Sequence, residues 1–186
     1  MTAPSLSVFV ACLFIAGVSP SDLYYWKEYT GAIPPDALPG GSDPDGRHAY
    51  IAEAYIHDRG LYTAQIYPGV KEVATVAYGV VKTSVNIKIL CTEHPEFFYW
   101  IKTTSSTYEQ DIVGWVPVTL GYDRVDGGQV NNVGRVFYQG YVIVGDVTPF
   151  TSAKGNVRLF VTFGNREISL HNYELLVTNS TNVTHM

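Results

Sequence analysis

The strongest constraint on the fold of this chain is an internal repeat. One copy begins at Trp26 and the other at Trp100, and short matching segments then follow in the same order. The matching segments are 31–34 with 114–117, 40–43 with 121–123, 50–55 with 132–137, 66–68 with 147–149, 76–79 with 161–164, and 88–91 with 174–177. Each copy alone is too short to bury much apolar surface. We therefore expect the two copies to share one core, related by a pseudo-two-fold axis.

The residue types within both copies favour strands. Aromatic residues make up 13% of the chain, and 17 Gly and 10 Pro supply many turns. The candidate strands are 49–56, 61–67, 72–81, 85–91, 96–102, 112–118, 130–138, 141–148, 157–163 and 172–178. No window shows a helical apolar stripe with caps. The sequence predicts an all-β, sandwich-like domain with a first repeat at 22–95 and a second at 96–178.

Residues 1–21 differ from the rest of the chain. An uncharged apolar run at 6–18 is followed by small residues at Ser19 and Ser21. The run is too short to span a bilayer, which takes about 20 residues, and it is typical of a secretory signal peptide. The sequence thus predicts cleavage of 1–21 and a secreted, extracellular protein without a membrane span. The alternative is a buried N-terminal strand.

Cysteines and sequons extend this prediction of export. Removal of Cys12 with the signal peptide leaves only Cys91, so no internal disulfide forms. Cys91 ends an apolar run and is predicted to be a buried strand residue, with a reactive thiol or an intermolecular disulfide as alternatives. The tail 179–186 holds glycosylation sequons at Asn179 and Asn182. The alternative is that these triplets are not glycosylated and the tail is a disordered polar segment.

Charge and motifs exclude several classes of function. The net charge is −5 and no run of Lys or Arg occurs, which argues against nucleic acid and anionic membrane surfaces as partners. Signatures of zinc proteases, serine hydrolases, redox dithiols and phosphate loops are absent, and the five His lack metal-ligand spacing. Asp43 and Asp45 begin like a calcium loop, but the later ligands of such a loop are missing. We expect neither an enzyme nor a metal or other cofactor.

Two segments carry a family resemblance. Residues 26–54 read WKEYTGAIPPDALPGGSDPDGRHAYIAEA, and residues 163–177 read FGNREISLHNYELLV. These resemble the opening and the close of a DM-nine repeat, and the likeness covers about 24–178. The resemblance implies a tandem pair of all-β repeats with internal pseudo-symmetry. It also implies a place among invertebrate secreted or infection-responsive proteins, some of which are mannose-binding lectins of innate immunity.

The resemblance also implies a ligand site in each repeat. In lectin-type members, an Asp of the Gly-x-x-Asp turn and a Lys farther along help hold the sugar. The Asp matches at Asp43 and Asp123, whereas Gln65 and Asp146 stand at the Lys positions. Asp45 adds a second acceptor beside Asp43, so these five residues are the candidate ligand-binding set. The alternative is that the turn Asp residues cap backbone N–H groups.

Two functions stay open at this point. One is a lectin-like pattern-recognition protein that binds mannose-type glycans or microbial surface polysaccharide, as a monomer or a homodimer. The other is a non-catalytic protein-interaction or structural module on the same scaffold that has lost sugar binding, which Gln65 and Asp146 favour. If sugar binds, we expect the first repeat to bind it. The second should stay silent toward neutral sugars unless a divalent cation is present, because Asp146 puts a second carboxylate near Asp123.

Overall fold

The computed structural model describes residues 23–125, 128–149 and 157–179. The predicted signal segment 1–21 and the sequon at Asn182 lie outside these residues. Almost all regular structure within them is β-structure, which confirms the predicted all-β class.

The first repeat contains seven strands. They are β1 (Tyr25–Glu28), β2 (Pro39–Ser42), β3 (His48–Ile56), β4 (Gly60–Ile66), β5 (Val73–Val76), β6 (Val80–Thr83) and β7 (Ile87–Cys91). The sequence predicts one strand over 72–81, and this prediction is wrong. The chain instead forms the β5–β6 hairpin, because Tyr78 and Gly79 adopt positive φ angles of 56° and 101° that a continuous strand does not allow.

Within the described residues, the second repeat contains eight strands and one helical turn. They are β8 (Phe98–Thr104), α1 (Tyr108–Asp111), β9 (Trp115–Pro117), β10 (Thr119–Asp123), β11 (Gln129–Tyr138), β12 (Tyr141–Pro149), β13 (Val157–Phe163), β14 (Arg166–Leu170) and β15 (Asn172–Asn179). In this repeat two predicted strands begin too early, and the predicted strand 85–91 of the first repeat likewise begins two residues before β7. The segment 96–102 starts inside a 3-10 turn at Pro95–Phe97, and the strand in 112–118 covers only β9.

Four strands lie outside the predicted segments: β1, β2, β10 and β14. Glycines in β2 and β10 favour turns by composition, yet the fold needs them there. An added Cβ on Gly41 would lie 2.3 Å from the carbonyl oxygen of Val142, and one on Gly121 would lie 2.4 Å from Leu61 Cβ. Since the neighbouring strand approaches so closely, these positions require glycine and propensity does not identify the strands.

Six strands close into a ring that takes three strands from each repeat. The order is β2–β3–β4–β10–β11–β12, and β12 pairs with β2 to close the ring. The two links between repeats, β4 with β10 and β12 with β2, are equivalent when the repeats are exchanged. Outside the ring, β7 pairs with β3 and β1 as β15 pairs with β11 and β8. The fold therefore has pseudo-two-fold symmetry, and backbone pairing joins the repeats.

Backbone hydrogen bonds give the correspondence residue by residue. Leu38 N donates to Leu90 O at 2.9 Å, and Val118 N donates to Leu176 O at 2.9 Å. These four residues lie at matching positions of the sequence repeat. The loop insertions between the matching segments therefore do not shift the register of the paired strands.

The long strands β3 and β11 turn the ring into two layers. Along one edge, β3 pairs first with β2 and then with β7. In the same way β11 pairs first with β10 and then with β15. A strand that changes partner along one edge belongs to two layers, which is the corner geometry of sandwich-like folds.

Three apolar clusters fill the interior, one in each repeat and one between them. The shared cluster consists of Leu38, Ile51, Leu90, Val118, Leu120, Val133, Val144 and Leu176. Trp26 and Trp100, which open the two repeats, are partly buried against it. Each repeat supplies one wall of this core, so either repeat alone would expose it to water.

Candidate functional site

The Asp43 turn joins β2 to β3 in the first repeat. Asp43 accepts hydrogen bonds from Arg47 N at 2.8 Å and from Arg47 Nε at 3.1 Å. The guanidinium carbon of Arg47 lies 4.6 Å from the centre of the Tyr67 ring. Arg47 and Asp45 are exposed, and 13% of the Asp43 side chain is accessible. The turn thus presents an acceptor, a donor and an aromatic ring at the surface.

Electrostatics link Tyr67 to this turn. Burial raises the pKa of Tyr67, the Asp43 carboxylate adds to the rise, and the Arg47 guanidinium opposes it. The phenol oxygen of Tyr67 is buried and has no hydrogen-bond partner among the described residues. Arg47 and Tyr67 are absent from the predicted site. Only the fold brings Tyr67, which follows β4, beside the turn.

Gln65 lies on β4 next to the same turn and is half-buried. Its Oε1 accepts a hydrogen bond from Val144 N at 3.2 Å. A Cβ added to Gly41 would lie 3.1 Å from the same oxygen. The amide of Gln65 therefore contacts both β2 and the opposite repeat.

The equivalent turn of the second repeat is closed. Asp123 is 5% exposed. It accepts hydrogen bonds from Val125 N at 2.8 Å and from the Tyr78 hydroxyl at 3.0 Å. Tyr78 belongs to the β5–β6 hairpin of the first repeat, so that hairpin reaches across to the carboxylate. Protein groups engage both oxygens of Asp123, as Arg47 engages both oxygens of Asp43, so burial under the hairpin is what closes this turn.

Asp146 on β12 is 2% exposed and lies inside the second repeat. Its Oδ1 accepts hydrogen bonds from Thr63 N at 2.8 Å and from Thr63 Oγ1 at 2.6 Å. Burial raises the pKa of Asp146 to about 7, the bonds from Thr63 oppose the rise, and the charge of Asp123 adds to it. The two carboxylates are therefore close enough to interact, and proton binding relieves their repulsion.

Gln65 and Asp146 have the same structural role. Each side-chain oxygen accepts a hydrogen bond from a backbone N–H of the opposite repeat, Val144 N for Gln65 and Thr63 N for Asp146. These bonds connect β4 and β12 in both directions. The two positions at which the resemblance predicts Lys thus join the repeats in this chain.

A row of three charged residues crosses the first repeat, away from the Asp43 turn. Lys88 on β7 lies opposite Glu28 on β1 and opposite Glu53 on β3. Lys88 Nζ is 3.5 Å from Glu53 Oε1, and the Glu53 side chain is only 4% exposed. Burial raises the pKa of Glu53 to about 7, whereas Lys88 opposes the rise. The row lines a groove of about 510 Å³, groove one, together with Tyr55, Leu61 and Tyr122.

The second repeat has the same row with every sign reversed. Glu174 on β15 lies opposite Lys102 on β8 and opposite Arg135 on β11. Arg135 Nε donates to Glu174 Oε2 at 2.7 Å, and its guanidinium carbon lies 4.2 Å from the centre of the Trp100 ring. This row lines a groove of about 560 Å³, groove two, which also contains Phe137.

These rows are absent from the predicted sites, although part of the signal is in the sequence. The repeat aligns Glu53 with Arg135 and Lys88 with Glu174, so the exchange of sign can be read from the alignment. The neighbours within each row depend on the pairing of β3 with β7 and of β11 with β15. That pairing joins residues far apart in the chain and is known only from the fold.

The remaining predicted residues have simple surroundings. Asn179 ends β15, opposite Trp115 of β9. Cys91 is fully buried, which confirms the predicted strand residue, and burial raises the pKa of its thiol to about 11. Within the described residues, no three His, Cys, Asp or Glu side chains are grouped to hold a metal. The same part of the chain contains no helix long and apolar enough to cross a membrane.

Neither a comparison with protein-family models nor one with curated proteins gives a match to this chain. The fold and the sites nevertheless define a structural class for this chain. It is a two-repeat, pseudo-symmetric all-β protein with one open and one closed acidic turn. It also carries two grooves of reversed charge.

Proposed function

We propose that this chain is a carbohydrate-binding protein whose first repeat holds a mannose-type glycan at the Asp43 turn. The observation that carries the proposal is the surface cluster of Asp43, Arg47 and Tyr67. A carboxylate accepts hydrogen bonds from sugar hydroxyls, and a guanidinium donates to sugar oxygens. Aromatic rings pack against the C–H faces of sugars.

Arg47 supplies what the absent Lys would supply in this turn. Its guanidinium offsets the charge of Asp43 and lies over Tyr67, so it is ordered before a ligand arrives. A side chain that is already ordered loses less conformational entropy on binding. Gln65 adds an amide beside the turn, and the exposed Asp45 adds an acceptor at its rim. The resemblance to a DM-nine repeat supports the same turn, because Asp43 matches the sugar-binding Asp.

In this proposal the second repeat does not bind sugar. The hydroxyl of Tyr78 occupies one oxygen of Asp123, and Asp146 is buried against Thr63. A neutral sugar would have to displace the β5–β6 hairpin and to approach two interacting carboxylates. We therefore expect one glycan per chain.

Titration calorimetry with mannose and mannan, with and without calcium, tests the proposal. Asp43→Ala and Arg47→Ala should each weaken binding roughly 10- to 100-fold, because a charge-assisted hydrogen bond contributes about 1.5–3 kcal/mol. Asp123→Ala, the matched control, should bind like the parent chain with a stoichiometry of one. Gln65→Lys should bind more tightly, because it adds a cationic donor, but it should also lower the free energy of unfolding, because Lys cannot accept the hydrogen bond from Val144 N.

Two results would count against this assignment. If Asp43→Ala retains its affinity for sugar, or if Asp123→Ala alone abolishes sugar binding, the Asp43 turn is not the binding site. If the parent and Gln65→Lys bind nothing on a glycan array, the second function becomes the better one. That function is a non-catalytic protein-interaction module, and it is favoured by the exposed rings of Phe137 and Tyr122 in the two grooves.

A further inference from the structure

We propose that groove one of one molecule binds groove two of another, so that copies of this chain associate head to tail. The two grooves lie at equivalent places on opposite repeats. Their charged rows have opposite signs at every matching position, namely Glu28 with Lys102, Lys88 with Glu174, and Glu53 with Arg135. The partner that fits each groove is therefore present on the same chain.

The rows are arranged for contact between unlike grooves. The outer residues Glu28 and Lys102 are exposed, and the central side chains of Lys88 and Glu174 are 40% and 32% accessible. Both rows read the same in either direction, acid–base–acid in groove one and base–acid–base in groove two. We assign the register in which equivalent positions face each other, so that Glu28 of one molecule lies opposite Lys102 of the next and Lys88 lies opposite Glu174.

Contact between like grooves is disfavoured by the same charges. A two-fold contact with the rows in register would place Lys88 opposite Lys88 of its copy in groove one, or Glu174 opposite Glu174 in groove two. A symmetric dimer through groove one would oppose Glu28 to acidic residues of its copy. Like-charge contacts reduce affinity for the wrong partner. The arrangement thus selects a head-to-tail contact over a two-fold one.

Apolar surface accompanies the charges. Phe137 lies in groove two, two residues beyond Arg135 on β11, and is 73% exposed. Groove one offers Tyr55, Leu61 and Tyr122, and its volume of about 510 Å³ is ample for one aromatic side chain. We assign Phe137 of one molecule to groove one of the next. Aromatic residues that fill a partner's pocket commonly dominate the energy of an interface.

Each groove also contains a charged residue outside its row, and these two residues again have opposite signs. Arg124 lines groove one and Asp111 lines groove two. A head-to-tail contact leaves one groove of each kind open at the ends of an assembly. Association therefore produces chains or closed rings whose size grows with concentration. It does not depend on the sugar site, because neither groove includes the Asp43 carboxylate.

Sedimentation velocity of the full chain over a range of concentrations tests this contact. The parent should associate at low salt and dissociate near 1 M salt, where the Debye length is about 3 Å. Glu28→Lys and Lys102→Glu should each weaken association by about fivefold or more, because an attractive contact becomes repulsive. The matched control for Lys102→Glu is Lys71→Glu, which makes the same charge change in an exposed loop outside both grooves. Phe137→Ser should weaken association further, whereas Val113→Ser, equally exposed but elsewhere, should not.

Charge exchange gives the decisive result. The double variant Glu28→Lys/Lys102→Glu should associate again to within about twofold of the parent, because the reversed pair restores the attraction. A parent chain that is monomeric at all concentrations would overturn the proposal. So would a double variant no better than the singles, or a monomer that binds an unrelated cationic peptide in groove one. Unchanged sugar binding in all these variants separates this contact from the proposed lectin site.

Discussion

The two repeats place an aspartate at the same turn and then surround it in opposite ways. In the first repeat, Asp43 is held by the exposed Arg47 at the surface. In the second repeat, Asp123 is nearly buried under the Tyr78 hydroxyl and interacts with Asp146. The strands that carry the two turns are paired in equivalent ways. Equivalent positions can thus keep their fold and lose their access to solvent when one hairpin from the other repeat covers them.

The charged rows of the two repeats also differ, in the length and the exposure of their ion pairs. In the first repeat the Lys88–Glu53 pair is long and Glu53 is buried. In the second repeat the Arg135–Glu174 pair is short, its acid is more exposed, and Arg135 packs on the Trp100 ring. A buried ion pair loses much of its attraction to desolvation. The pKa of Glu53 reflects this cost, since it rises to about 7 despite Lys88. Ion pairs of this kind distinguish the two grooves more than they stabilise the fold.

The largest expected effect tests whether the repeats share their core. Leu90→Ala and Leu176→Ala remove equivalent, fully buried side chains from the shared cluster. Each should lower the free energy of unfolding by about 2–5 kcal/mol. Chemical denaturation followed by tryptophan fluorescence and circular dichroism should show one coincident transition in both variants. If the second repeat alone unfolds in an early transition in Leu176→Ala, the repeats do not share their core.

A smaller effect, on the pH dependence of stability, is expected at Asp146, because its counterpart Gln65 does not ionise. The pKa of Asp146 is about 7 in the folded chain and about 3.9 in an unfolded one. Between these values the folded chain holds a proton that the unfolded chain releases, so the free energy of unfolding falls as pH rises from about 4 to 7. Asp146→Asn should remove on the order of 2–4 kcal/mol of that fall, measured by urea denaturation at several pH values.

Controls for this pH effect come from other positions. Glu53 shifts in the same direction, so part of the pH dependence should persist in Asp146→Asn and disappear only when Glu53→Gln is added. Gln65→Glu should introduce a weaker dependence of the same sign, because position 65 is only half-buried. An Asp146→Asn chain with the parent's full pH dependence would show that Asp146 is not the titrating group.

The smallest expected effect concerns Cys91 and its counterpart Val177, both fully buried. Cys91→Val introduces the residue that the other repeat uses and should change the free energy of unfolding by less than about 1 kcal/mol. Cys91→Ala should cost on the order of 1 kcal/mol, because it leaves a small cavity. Thermal denaturation of both variants provides the measurement. Loss of a covalent dimer on non-reducing gels in either variant would instead reveal an intermolecular disulfide.

Particular residues explain how far the sequence predicts the fold and the sites. The strands around Ile51 and Val133 are predictable because β-branched and aromatic residues are concentrated there. The glycine strand β2 and the hairpin at Tyr78 are not, because their backbones are set by a neighbouring strand and by a turn. Asp43 is predictable as a site residue from its turn. Arg47 and Tyr67 gain their role only when β4 lies beside that turn.

The sequence by itself determines the two-fold repetition, the strand class and the apolar positions that form the core. These properties are local, because they depend on residue type and on spacing along one strand. The tertiary structure alone decides which aspartate is covered, since Tyr78 and Asp123 belong to different repeats. It also decides that charges aligned in the sequence become continuous rows. Neighbours across a sheet follow from strand order and register, and here those pairings join segments from distant parts of the chain.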